Sequence, residues 1–205
     1  MINVAPGKGR EQFFQLSPRE QRSDGKRMAA WKTKKTETLV EDRFCTVKKN
    51  SVELPDGAII PDFYTVTIPD ATLVVALTPD NQIILKKEFR YACGTDIIEC
   101  PAGMVEEGEE PLDTAKRELL EETGYTSDQW TWLGATREST SKLTNKMWLF
   151  MARDCKKVAD QKLDLNERME VLKMPLAEAV DMVMENQICA NSSAHAILKA
   201  EKTLS

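Results

Sequence analysis

Apolar and polar positions along the chain fall into runs that mark out its elements. Residues Ala71–Leu77 are continuously apolar, as a strand buried on both faces should be. Pro79-Asp80-Asn81 follows as a turn, and 82–88 then reads as the partner strand. Upstream, 39–48 and 59–68 are β-rich runs flanking Leu54-Pro55-Asp56-Gly57, whose Asp-Gly is a strong turn signal. Downstream, 96–100, 130–136, 146–152 and 171–174 read as further short strands. Pro111 can open a helix and Gly124 can end it, with Leu112, Ala115 and Leu119 on its core face. A second helix is expected from Pro175, burying Leu176, Ala179, Val180 and Val183. A third opens at Asn191 or Ser192 as N-cap, with Ala194, Ile197, Leu198 and Leu204 apolar. This loose alternation predicts an α/β (α+β) fold, a mixed β-sheet between helices with a small N-terminal β region.

Composition narrows the chemistry. The 205 residues suit one domain with an extension. No apolar run is long enough to span a membrane, and the N-terminus carries no secretion signal. The five cysteines are odd in number and form no Cys-x-x-Cys pair, which argues against a disulfide framework or zinc site. They point to a reducing, cytoplasmic compartment. His195 is the single histidine, expected on a helix surface, so multi-histidine zinc sites and Ser-His-Asp chemistry are disfavoured. Any catalysis then has to rest on carboxylates and a hard metal ion. Residues 1–36 carry nine basic and three acidic side chains, a net +6 that leaves −11 for the remainder. Apart from Phe13-Phe14 this stretch is polar and aperiodic. It reads as a solvated, partly disordered basic extension rather than a nucleic-acid arm.

Within 111–124, Glu118, Glu121 and Glu122 share one helix face, with 118 and 122 one turn apart. Their repulsion costs only about 0.2–0.5 kcal/mol per pair in water, so charge alone permits either a solvated face or a cation site. Arg117 can also pair with Glu121 at i+4. The wider spacing is more specific. Gly103, five residues, Glu109, seven residues, Arg117-Glu118, an aliphatic Leu119, any residue, Glu121-Glu122, any residue and Gly124 resemble the Nudix box at every fixed position. Only Tyr125 departs, where an aliphatic residue is usual. The resemblance is specific over Gly103 to Tyr125 and extends over about 37–205. It implies Mg²⁺, or Mn²⁺ in its place, held by Glu118, Glu122 and the Ala102 carbonyl, with Glu121 in or beside that shell. Arg117 and Glu109 would be structural.

Flanking residues narrow the branch. Lys86-Lys87-Glu88-Phe89-Arg90-Tyr91 and Ile98-Glu99-Cys100-Pro101-Ala102-Gly103 look like the ADP-ribose/ADP-sugar pyrophosphatase branch. By that likeness Arg90 and Glu99 contact substrate, and Phe44 and Phe63 either stack on the base or pack in the core. Asn166-Glu167-Arg168-Met169-Glu170-Val171 is similar to the loop that supplies a further glutamate. Glu167 would then be the general base or an added metal ligand, with Glu170 as understudy, and Glu121 and Glu122 complete the catalytic set. Two departures stand out: Ser139-Thr140-Ser141 where relatives carry Ser-Pro-Gly, and Thr67-Ile68 where a second substrate arginine is expected.

The expected organisation is a basic extension at 1–36, an N-terminal β region at 37–70 used in dimerisation, and a hydrolase domain at 71–205. The expected activity is Mg²⁺-dependent cleavage of the pyrophosphate bond of a nucleoside diphosphate sugar, ADP-ribose first, by a homodimer that engages neither membrane nor nucleic acid. The rival expectations are a hydrolase of nucleoside triphosphates or modified nucleotides, and a non-catalytic nucleotide-binding module.

Overall fold

The computed structural model describes residues 29–163 and 168–205. The expected extension up to residue 28, with Phe13 and Phe14, and the candidate base Glu167 lie outside the described residues. The chain divides into two compact units, residues 29–68 with Ser139–Thr144, and Pro69–Glu138 with Asn145–Ser205.

The first unit is an antiparallel sheet of β1 (Lys32–Glu41), β2 (Thr46–Glu53) and β3 (Ile59–Thr67) in the order β1-β2-β3. Its first turn corrects the single strand expected at 39–48. The chain reverses between β1 and β2 because the Asp42 carboxylate accepts hydrogen bonds from the N–H groups of Phe44 (2.7 Å) and Cys45 (2.8 Å). Regular structure also begins inside the stretch read as extension. β1 is exposed at every position and polar or charged up to Thr38, so no apolar alternation announces it. The Leu54–Gly57 turn forms as expected, joining β2 to β3 through the Gly57 N–H on the Leu54 carbonyl (2.9 Å). Asn50 organises the sheet interior. Its amide accepts from Thr36 Oγ1 (2.9 Å) and donates to Thr65 Oγ1 (3.1 Å).

In the second unit β4 (Ala71–Leu77) is the central strand, buried from Thr72 to Leu77. It is followed by β5 (Gln82–Arg90), β6 (Thr95–Glu99), β7 (Ala102–Met104), α1 (Pro111–Thr123), β8 (Tyr125–Thr126) and β9 (Gln129–Thr136). Then come β10 (Met147–Arg153), β11 (Lys156–Lys157), β12 (Met169–Pro175), α2 (Leu176–Met184) and α3 (Asn191–Leu204). The main sheet runs β12-β5-β4-β10-β9, with only the β4–β10 pair parallel, and β8 with β11 forms a separate ribbon. The mixed sheet therefore lies between helices, as the alternation of elements predicts. Leu73, Val75 and Leu77 face Ala179 of α2 and Ala196 and Ile197 of α3 in the main core. The opposite face, with Val74, Ala76, Ile84 and Lys86, receives α1.

One departure from a regular sheet positions everything that follows. β4 and β5 pair directly only through Ala76 with Ile84 and Leu77 with Ile83. Beyond that point they diverge, β5 pairing with β6 and β4 with β7. The Cys100-Pro101 link sits in the fork, tied by the Val74 N–H to the Pro101 carbonyl (2.9 Å) and the Cys100 N–H to Ser193 Oγ (3.0 Å).

The helix ends correct two expectations. Pro175 is the last residue of β12 and caps α2 instead of occupying its first turn. α3 takes Ala190 as N-cap and no side chain caps it, because Ser192 and Ser193 turn inward to other partners. Its buried face is Ser192, Ser193, Ala196, Ile197 and Ala200, while Leu198 and Leu204 stay exposed; His195 is exposed as expected.

Gly124 ends α1 in the left-handed region (φ 75°), its N–H on the Leu120 carbonyl at 2.8 Å. A Cβ there would also run into the Ala159 carbonyl. Gly124→Ala should therefore lower stability by at least about 1–2 kcal/mol, the strain of a left-handed non-glycine residue alone. Urea unfolding of variant and parent measures it; an unchanged midpoint would contradict this description of the helix end.

Candidate active site

The fork brings the box loop against α1. Gly103 leaves a space that the Glu118 carboxylate fills, and a Cβ at 103 would fall on that carboxylate. One turn on, Glu122 is shut in at 2 % exposure. Its Oε2 accepts the Ala102 N–H at 2.9 Å and its Oε1 is bonded to Lys86 Nζ, itself 2 % exposed. Lys86 Nζ also lies 3.5 Å from the Ala102 carbonyl oxygen.

Arg117 gathers the remaining carboxylates. It donates to Glu109 through Nε (3.1 Å) and Nη2 (3.0 Å), and to Glu118 (2.7 Å) and Glu121 (3.2 Å) through Nη1. Nη2 further reaches the Met104 carbonyl at 3.4 Å, so one guanidinium fastens the helix to the loop that precedes it.

These contacts set the electrostatic states of three glutamates. The hydrogen bonds from Arg117 hold the Glu109 carboxyl down at about 2. Burial pushes Glu122 up to about 7 even though Lys86 pulls it back. Burial likewise raises Glu118 above the ordinary range despite Arg117 beside it. Arg117 is itself held above its usual value, mainly by Glu109. Glu118 and Glu122 are thus carboxylates whose ionised form would gain from a further positive charge.

Glu118 and Gly103 open onto a cleft of about 590 Å³. Arg90 and Glu99 line it from the β5–β6 pair, and Glu138, Ser192 and Ser193 from the end of β9 and the start of α3. Arg90 Nε lies 2.5 Å from Glu99 Oε1, and its Nη1 is 3.1 Å from Glu88 Oε2. Burial would lower the Arg90 value, but Glu99 and Glu88 outweigh it and raise it. The guanidinium is thereby fixed in orientation at the edge of the cleft.

Of the residues expected at a site, Arg90, Glu99, Ala102 and Glu118 line the cleft, and Glu122 sits behind its floor. Glu121 turns to Arg117, as the i+4 spacing suggests. Phe44 and Phe63 belong to the N-terminal sheet. Phe44 is an exposed turn residue under Arg43, not a strand residue. Phe63 on β3 packs edge-on to Trp31 at 5.6 Å between centroids, with Lys142 over its ring at 4.7 Å. Lys86, Glu138, Ser192 and Ser193 were absent from the expected set. A lysine directly after Ile83-Ile84-Leu85, on the same strand face as the apolar Ile84, was the signal for Lys86; the other three are joined only by the fold, with Ser192 Oγ bonded to Glu138.

Whether a divalent ion suits these residues can be judged from their donors. Among the described residues, no three acidic or thiol side chains converge as a ready cage. A hard ion that keeps water and takes one or two carboxylates plus phosphate oxygens needs no such cage. Glu118, Glu122 and the Ala102 carbonyl supply hard oxygens of that kind, and Glu118 lies open to the cleft, so the residues fit.

The state of Glu109 has a measurable consequence. Its folded value, about 2 against an ordinary 4.5, favours the folded chain above pH about 4.5 and ceases to do so as pH falls towards 2. The stability difference between parent and Glu109→Gln should be greatest above pH 4.5 and vanish near pH 2. A difference independent of pH, in urea melts across that window, would show that Arg117 does not depend on the Glu109 charge.

Comparison with known proteins identifies the family of the chain. Residues 67–190 match the NUDIX domain, and residues 31–66 match the nucleoside diphosphate sugar hydrolase N-terminal domain. The chain is 34% identical to the methanol dehydrogenase activator of Bacillus methanolicus, over 77% of this chain and 85% of that protein. It is also 34% identical to the ADP-ribose pyrophosphatase of Bacillus subtilis (strain 168), over 81% of this chain and 90% of that one. A crystal structure of an ADP compounds hydrolase superposes with a TM-score of 0.76 at 22% identity, covering 87% of this chain and 96% of that one, which speaks for the fold. With a domain match over more than half its length and relatives of this identity, the chain belongs to the NUDIX family.

Proposed function

We propose that this chain hydrolyses the pyrophosphate bond of a nucleoside diphosphate sugar, ADP-ribose first among them, releasing a nucleoside monophosphate and a sugar phosphate. The observation that carries this is the cleft in which Glu118 and Arg90 face one space, together with a sequence at residues 31–66 that matches the N-terminal domain of nucleoside diphosphate sugar hydrolases. The ADP-ribose pyrophosphatase of Bacillus subtilis supports the substrate class.

NUDIX hydrolases generally depend on a divalent metal. Mg²⁺, or Mn²⁺ in its place, suits the oxygen donors here. Glu118, Glu122 and the Ala102 carbonyl would hold it, with Glu121 beside them. When bound, the ion neutralises the diphosphate and makes an attacking water more acidic. Arg117 holds Glu118 and Glu121 in place relative to the box loop. Arg90, braced by Glu99 and Glu88, offers a planar cation to a phosphate oxygen at the cleft edge. Glu167 receives the proton of the attacking water in this reading, with Glu170 on β12 as the alternative base. Phe44 and Phe63 are assigned to the base of the nucleotide.

The same reading includes a homodimer in which the N-terminal β region, placed at about 37–70, completes the partner's site. Leu39, Val40, Phe44, Ile59 and Tyr64 on that region are exposed large apolar side chains, which suits a partner surface. All five cysteines are free, in keeping with the cytoplasm, and no helix among the described residues is long and apolar enough to cross a membrane.

With Mg²⁺ present, separate incubations with ADP-ribose, ADP-glucose, GDP-mannose and NADH should release a nucleoside monophosphate from at least ADP-ribose. Glu118→Gln should slow that release on the order of a hundredfold or more. No monophosphate from any of the four would overturn the substrate class. Sedimentation should give the mass of two chains, and a single-chain mass at assay concentrations would remove the dimer.

A further inference from the structure

We propose that the Lys86 ammonium is a resident cation of this site. It fills one position among the oxygens of Glu122, Ala102 and Glu88, so the chain takes up one divalent ion fewer than those donors could hold. This rests on the reading of the cleft as a divalent-ion site.

The polar contacts of Lys86 Nζ among the described residues are with oxygens. Glu122 Oε1 is bonded to it, the Ala102 carbonyl lies 3.5 Å away and Glu88 Oε2 3.8 Å away. Two of these three, Glu122 and the Ala102 carbonyl, are groups assigned above to a metal. The third adds to the negative excess. Among the described residues, Glu88 Oε2 is buried with no hydrogen-bond partner, and Lys86 and Arg90 are the charges at ion-pair distance from it. A cation therefore stands where an oxygen-lined pocket calls for one, and a side chain supplies it.

Lys86 is also confined there. Its side chain leaves β5 on the sheet face covered by α1 and is enclosed to 2 % exposure. Moving the ammonium away would leave Glu122 as a buried charge without its counter-ion, and Glu88 with Arg90 alone, and proteins tolerate an unpaired buried charge poorly. A divalent ion sharing the Glu122 Oε1 side would meet a fixed positive charge at contact distance. Glu118 is different, because it opens to the cleft and its space is kept by Gly103. A divalent ion accordingly centres on Glu118 and meets Glu122 from the Oε2 side, while Lys86 holds Oε1 from behind. Lys86 is thus a positioning residue.

Mn²⁺ binding, counted by electron paramagnetic resonance on the nucleotide-free chain, tests this in the parent, Lys86→Met and Glu118→Gln. Methionine keeps the length and removes the charge. Lys86→Met should bind one more Mn²⁺ per chain than the parent, or bind its ions about tenfold tighter or more, once that repulsion is gone. Its melting temperature in EDTA should fall below that of the parent, and saturating Mn²⁺ should restore most of the loss. A Lys86→Met chain that folds only with Mn²⁺ supports the proposal equally. Unchanged ion count and affinity overturn it and leave an ordinary buried ion pair, as does a variant that stays unfolded at saturating Mn²⁺. If the parent binds no Mn²⁺ and its titration coincides with that of Glu118→Gln, the divalent-ion reading itself fails and this inference falls with it.

Discussion

Glu122 is a carboxylate enclosed by protein, and the arrangement around it follows from the need to answer its charge. The answer comes from two other elements, Lys86 on β5 and the Ala102 N–H on β7. A single side chain of α1 is thereby fastened to both arms of the fork in the sheet. Removing any one of the three groups leaves a buried charge or donor exposed to the cost of desolvation. Glu118, one turn earlier on the same helix, escapes that enclosure. It faces the cleft because Gly103 has no side chain and because Arg117 holds it from the side. Two chemically identical residues separated by one helical turn thus have distinct environments, one answered from within and one open to a ligand.

The fork also explains why the cleft can be polar at its floor. A fully paired β4–β5 seam would bring apolar strand surface to this place. Divergence lets β6 and β7 enter, and with them Glu99, Ala102 and Gly103. Arg90 and Glu99 come from the paired strands β5 and β6, so the position of the arginine is set by a ladder and an ion pair. Rigid elements of this kind hold charged side chains more narrowly than loops do.

Much of this was legible in the sequence, and the parts that were not share a cause. The central strand, the helix of the box and its end at Gly124 are specified locally, by an apolar run and by start and stop residues. The pairing of Arg117 with Glu121 follows from helical spacing. β1 was hidden because all its residues are exposed, so no periodicity betrays it. Ser192 looked like a helix cap and Ser193 had no assigned role, because sequence reveals a hydroxyl near a helix start but not which way it turns. Their partners, Glu138 and the Cys100 N–H, are 54 and 93 residues away along the chain. Lys86 needed the same long-range knowledge. A lysine in an apolar strand is informative only once a buried glutamate is known to lie across from it.

The parallel pairing of β4 with β10 has a consequence for how the molecule is made. Strand β4 ends at Leu77, whereas its parallel neighbour begins at Met147. Between them, from Lys86 to Glu122, lie all the charged contacts that bind α1 to the fork. A chain emerging from the ribosome therefore carries the whole constellation before it has the strand that covers the other edge of β4. Short-range contacts form early and distant strand pairings late. During that interval the edge of β4 is open to other chains, while α1 already covers one face of the strand.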